Sequence, residues 1–125
     1  SPYTLSLHDA LPIYECADQL FFEYLKALSP SATDLELRSL STLPHLQAFL
    51  HAISARLRSH RDFEAVQTFL ACFLRIHGDV LVQNVELKEG MIRVAAEQKR
   101  ESGRLMDLTH YALGTLAFLR STPIA

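Results

Sequence analysis

Tryptophan is absent from this sequence, and glycine and cysteine are scarce, with four and two copies in 125 residues. So few glycines leave no phosphate-cradling loop and no dinucleotide fingerprint, both of which need clustered glycines for close backbone approach. Cys16 and Cys72 stand far apart and form no CxxC pair, so they read as isolated thiols in a reducing compartment rather than a disulfide framework. No HExxH is present. Charge of one sign is not in excess either: the formal net charge is −2. Such a chain lacks the clustered basic surface that nonspecific duplex binding wants. No apolar run approaches the roughly 20 residues a bilayer-spanning helix needs. Neither strand alternation nor an internal repeat is found, which leaves an all-α chain.

What the sequence does contain is apolar residues, 49% of the total. A chain of this length fits one domain burying about two-thirds of its unfolded surface. The expected architecture is a bundle of four to five helices with a long C-terminal helix. From Glu15 to Leu28 the positions Leu20, Phe21, Tyr24, Leu25 and Leu28 keep the 3.6-residue period of a first helix, which Pro30 ends. Ser31 is placed to cap a short second helix through DLELRSL, with Asp34 and Glu36 near its positive end and Arg38 near its negative end. Thr42 can cap a third helix whose first turn tolerates Pro44; Leu43, Leu46, Phe49, Leu50, Ile53 and Leu57 form its stripe. A fourth helix, about Asp62 to Leu81, is apolar on nearly every side and is expected at the centre of the bundle.

Asn84 can cap the fifth segment, from Val85 to Ser121, with Pro123 as the stop. Its positions at alternating spacings of four and three are Leu87, Met91, Val94, Gln98, Glu101, Leu105, Leu108, Ala112, Thr115 and Leu119. As one helix, about 36 residues would span roughly 54 Å, against about 30 Å for the fourth. One end then overhangs the bundle and needs another protein to cover Leu105, Leu108, Tyr111, Ala112, Leu116 and Leu119. The alternative is a break at Gly103 that folds the segment back as two ordinary helices. The long helix is favoured, because one glycine costs only about 1 kcal/mol in a helix.

Catalytic chemistry finds no constellation here. His45 and His51 are six apart and fall on different helix faces, so they cannot chelate together, and no metal ligand is assigned. His77 reads as a satisfied core or boundary histidine. Cys72 lies among Phe69, Phe73 and Ile76, where burial leaves a thiol inert. Glu97 and Glu101 alternate with Lys99, Arg100 and Arg104, as on a solvated helix face. No catalytic residue, cofactor or membrane contact is expected. The basic turn RLRSHRD carries Arg56, Arg58 and Arg61, the candidates for contacting RNA; the alternative is that these arginines stabilise a helix end while Asp62 opens the next helix.

Residues 1–13, SPYTLSLHDALPI, have no helical period and two prolines, and they abut a clean helical pattern. They resemble translated sequencing-adapter sequence and are expected to be a non-native leader, with a native extended arm as the alternative. Residues 14–125 are then the domain. YLKALSPSATDLELRSL from Tyr24 to Leu40, followed by RDFEAVQTFLACFLRIH, resembles the C-terminal helical domain of the WD-repeat protein 36 family. The resemblance runs from about Tyr14 to Leu119. It implies a fragment of a WD40-repeat component of the small-subunit processome, working in the nucleolus in pre-rRNA processing. The function it implies is non-catalytic scaffolding. The implied partners are the related helical domains of other WD40-repeat processome proteins, with pre-ribosomal RNA and a small nucleolar ribonucleoprotein reached indirectly through the complex. A free-standing RNA-binding helical module using Arg56, Arg58 and Arg61 is the alternative.

Overall fold

The computed structural model describes residues 14–121, the side chains of Tyr14, Glu15 and Cys16 excepted. The readings of residues 1–13, of the Cys16 thiol and of Pro123 fall outside the described residues. Among the described residues five helices follow one another: α1 Tyr14–Lys26, α2 Pro30–Arg38, α3 Leu43–Arg58, α4 Phe63–Gln83 and α5 Val85–Ser121. No strand occurs among the described residues.

The caps explain most boundaries. Thr42 accepts a hydrogen bond from the His45 N–H, with Pro44 inside the first turn of α3. Asn84 Oδ1 accepts from the N–H groups of Glu86 and Leu87 at 3.0 and 3.2 Å, satisfying two orphan donors at the start of α5. The second helix begins earlier than expected. Ser29, not Ser31, caps it through the Ala32 N–H, and Pro30 is its first residue rather than the end of α1. Proline suits that position because its fixed φ is helical and its missing N–H would be unpaired anyway. Asp34 therefore sits mid-helix, where its Oδ2 pairs with Arg38 Nε at 2.7 Å.

The centre of the bundle is α3 and not α4. Nine of the sixteen α3 residues are buried, among them Ala48 and Ala52, whose small side chains let neighbours approach from several directions. α1, α4 and α5 all pack on it. Phe49 of α3 stacks on Phe73 of α4 at 4.2 Å between ring centroids and meets Phe21 of α1 edge-on. α4 buries only the single stripe Val66, Phe69, Phe73, His77 and Leu81. Its surplus apolar residues Leu74, Val80 and Val82 lie on the surface. α4 is long and apolar enough to cross a membrane by length and composition. Glu64, Gln67, Arg75 and Asp79 interrupt it, and its buried stripe belongs to the bundle core.

His77 Nε2–H donates to the Leu37 carbonyl at 2.8 Å, a satisfied core histidine joining α4 to α2. Cys72 is half-buried, and burial pushes its thiol pKa up despite the nearby Arg75 charge. That is the setting of an unreactive thiol.

Candidate interaction surface

α5 is one unbroken helix of 37 residues. Its first half is fastened to the bundle. Leu87 and Val94 are fully buried, and Gly90 lets the α5 backbone come close to Leu50 of α3. Gln98 accepts a hydrogen bond from Gln67 Nε2 of α4 at 2.7 Å. The last buried residue is Glu101, 3% exposed, whose carboxylate meets His60 Nδ1 in the α3–α4 turn and Arg104 Nε one turn on. Burial pushes this carboxyl pKa up, but the hydrogen bonds from His60 and Arg104, and their charges, outweigh it and hold the group below the usual range. Glu101 is therefore not on the solvated face that its charge spacing predicts. The turn overrides that: His60 takes a left-handed conformation, φ 62°, and its ring comes to the carboxylate.

Beyond Glu101 no residue of α5 is buried. Gly103 has no atom within 4 Å of where a Cβ would stand, so it needs no bend and makes none. The twenty residues from Ser102 to Ser121 project about 30 Å past the body at 1.5 Å per residue. Leu105 and Arg104 are half-covered, and everything after them is exposed. Met106, Leu108, Tyr111, Leu113, Leu116, Phe118 and Leu119 are each more than half exposed. Leu105, Leu108, Tyr111, Ala112, Leu116 and Leu119 are thereby gathered on one free-standing rod. At about 100° per residue, the apolar side chains take up about two-thirds of its circumference. Asp107, His110, Gly114 and Ser121 mark the remaining strip. An isolated monomer rarely shows so large a contiguous apolar surface.

The four-three spacing links the two halves. Leu87, Met91, Val94, Gln98 and Glu101 are buried or half-buried against the bundle, and Leu105, Leu108, Ala112, Thr115 and Leu119 continue the same repeat in solvent. A seam kept at a period of 3.5 is the pattern of a helix that packs along its whole length against others. A second apolar surface, missed from the sequence, lies between α4 and α5: a groove of about 450 Å³ lined by Leu74, Gly78, Leu81, Val82, Met91 and Ile92. Its signal is the all-round apolar α4, whose surplus faces outward instead of filling the interior.

The three arginines of the basic turn separate. Arg56 is buried, with Nη1 3.5 Å from Asp62 and its guanidinium 4.8 Å over the Phe22 ring. Arg58 and Arg61 are exposed. Asp62 precedes α4 in a left-handed conformation without a side-chain cap, because its carboxylate serves Arg56 and Lys26 instead. Among the described residues no group of three His, Cys, Asp or Glu comes together to hold a metal.

With this geometry in hand, the comparisons with known proteins are specific. The model of the Utp21-specific WD40-associated domain matches residues 2–120. The chain belongs to the Utp21 family. It is 38% identical over 83% of its length to the U3 small nucleolar RNA-associated protein 21 homolog of Schizosaccharomyces pombe. It is 30% identical over 73% to U3 small nucleolar RNA-associated protein 21 of Saccharomyces cerevisiae, and 32% identical over 78% to WD repeat-containing protein 36 of Homo sapiens. The matches cover 12%, 10% and 11% of those relatives, so this family member spans about a tenth of their length.

Proposed function

We propose that this chain is a non-catalytic assembly domain of a WD40-repeat protein in small-subunit ribosome biogenesis, and that the α5 overhang docks into related helical domains of partner processome proteins. The names of its relatives support the setting, since two are U3 small nucleolar RNA-associated proteins and one a WD-repeat protein. Contact with pre-ribosomal RNA and the small nucleolar ribonucleoprotein would follow through the complex, in the nucleolus. One observation carries the reading: the seam that fastens α5 to the bundle runs on past Glu101 as an apolar rod of exposed residues, Leu108, Tyr111, Leu116 and Leu119 among them.

The width of the apolar arc says how the rod is met. One partner helix covers a stripe of about 100° or slightly more. An arc of about two-thirds of the circumference calls for helices on at least two sides, as when one helix of a bundle is supplied by a different subunit. Glu101 and Gln98, polar members of the seam, fix the register at which the rod leaves the body, a role that polar residues take in coiled coils. The test is co-expression with the C-terminal helical domains of WD40-repeat processome proteins. The intact chain is expected to co-purify with one or more of them, and a chain ending at Arg104 is not. Failure of the intact chain to capture any, or equal capture by the shortened chain, would overturn the reading.

A further inference from the structure

Two apolar surfaces stand exposed on this one chain, the α5 rod and the groove between α4 and α5. One stripe of α5 joins them. Shifted by one residue from the seam that faces the bundle, it keeps the same spacing of four and three from Lys88 to Arg120, and every member is exposed. Ile92, Ala95, Met106, Leu113 and Leu116 are its apolar members. One residue is about 100° of helix, so the stripe runs beside the bundle seam and not on it. Lys88 and Ile92 of the stripe line the groove, with Leu74, Gly78, Leu81 and Val82 of α4 as the other wall. A Cβ on Gly78 would meet no atom within 4 Å, so a second helix has room to approach the α4 backbone there.

The two halves of α5 are of equal length. The helix runs Val85–Ser121, its last buried residue is Glu101, and its middle residue is Gly103. The half on the bundle and the half that overhangs each span about 27 Å. A second α5, turned end for end about this middle, therefore lays its overhang along the whole bundle-packed half of the first. The first returns the same contact. With a two-fold axis at the level of Arg104, Ile92 faces Leu116 of the second copy, Ala95 faces Leu113 and Ser102 faces Met106. Small residues thus oppose large ones, as interdigitating layers require. Both surfaces are used once and the assembly closes at two, which is the property of an isologous contact. Parallel pairing would bring the two overhangs together and leave both grooves empty.

We propose that two copies of this chain pair through α5, antiparallel about a two-fold axis at Arg104, each overhang lying along the α4–α5 groove of the other. The contact is about 50 Å long and one helix, about 10 Å, wide, on the order of 500 Å² per copy. A standard stable complex buries about 800 Å² per partner, so this pairing belongs to the weak, micromolar class. Lys88 opposite Arg120 at both ends weakens it further. Leu108 and Tyr111 stand about 140° and 160° round the helix from Leu113, on the far side of the rod. That side stays open to a partner domain, so the pairing and the assembly reading succeed or fail separately.

Sedimentation equilibrium of the intact chain tests the pairing. The 14.1 kDa chain is expected to be monomeric at about 1 µM, where unfolding reports on the monomer, and to double in mass with a midpoint of tens of micromolar. Ile92→Asp and Leu116→Lys both change exposed positions. Each is expected to weaken self-association by about tenfold or more, with the helical circular dichroism kept. Mixed in equal amounts, the two variants are expected to pair more tightly than either does alone. Position 92 of one then meets position 116 of the other as Asp against Lys, while the second such layer keeps Ile against Leu. A parallel pair has no such rescue. A chain still at 14.1 kDa at about 300 µM would overturn the proposal. So would a mixture no tighter than the separate variants, or a mass that keeps growing past the dimer. An intact chain that captures a partner domain but never pairs with itself would overturn this proposal alone and leave the assembly reading standing.

Discussion

Gly90 of α5 lies so close to Leu50 of α3 that a Cβ on it would stand 2.9 Å from Leu50 Cδ1. Leu50 is itself buried, so it has little room to give. Gly103, two residues past Glu101, has open space where a Cβ would stand. The two glycines should therefore respond in opposite ways. Gly103→Ala is expected to stabilise by up to about 1 kcal/mol through helix propensity and a less free unfolded chain. Gly90→Leu is expected to cost about 2 kcal/mol or more, since overpacking forces the α3–α5 interface apart. Urea denaturation of both variants checks the pair. Stabilisation by a bulky residue at position 90 would mean that α5 does not sit where it is described.

The His60–Glu101 contact makes a second prediction, with a definite sign in pH. The Glu101 carboxyl is held below its ordinary range in the folded chain. A depressed carboxylate contributes fully above its unfolded pKa, and that contribution fades as pH falls through the lower folded value. Glu101→Gln is expected to cost about 1–2 kcal/mol near neutral pH, by losing hydrogen bonds to charged partners. The gap between the variant and the parent should close as pH is taken from about 6 to about 3. Denaturation midpoints at each pH measure it. A gap that widens in acid would contradict the sign.

Much of this arrangement was legible in the sequence because local chemistry set it. Thr42 and Asn84 have the side chains that cap, and their helices begin where those caps put them. The long C-terminal helix was legible because a single glycine, Gly103, costs a helix only about 1 kcal/mol. What was not legible depended on which face of one helix meets which face of another. α4 looks like a central helix by composition, yet α3 with its alanines takes that place. Glu101 looks like a solvated carboxylate by spacing, and only the left-handed turn at His60 shows that it is buried. Arg56 reads as a candidate RNA contact or a helix-end charge, and only the folded α3 shows that it is buried.

The aromatic centre should be the least replaceable part of the fold. Phe49 touches Phe21 and Phe73, and both Phe49 and Phe73 are essentially inaccessible. Phe49→Ala is expected to cost about 3–5 kcal/mol, the lost transfer energy plus a cavity at the junction of three helices. Thermal unfolding followed by circular dichroism would show it. A loss under about 1 kcal/mol would place the core elsewhere.

The overhang should behave in the opposite way, because its residues are spent on a surface and not on the fold. Leu108 and Leu116 are 51% and 56% exposed. Replacing both by aspartate removes apolar area that the isolated chain leaves in water, so the unfolding midpoint should stay within about 0.5 kcal/mol of the parent. The same change places two charges in the middle of the apolar arc, where a partner would have to bury them unpaired. Capture by a partner helical domain should then fall by more than a hundredfold, since each buried unpaired charge costs several kcal/mol and each 1.4 kcal/mol is a factor of ten. The decisive measurement is the two readouts on one sample, stability by denaturation and association by titration with the purified partner. A doubly substituted chain that still associates at full strength would show that the rod is not the docking element. One that unfolds instead would show that the rod folds back and helps to hold the body together.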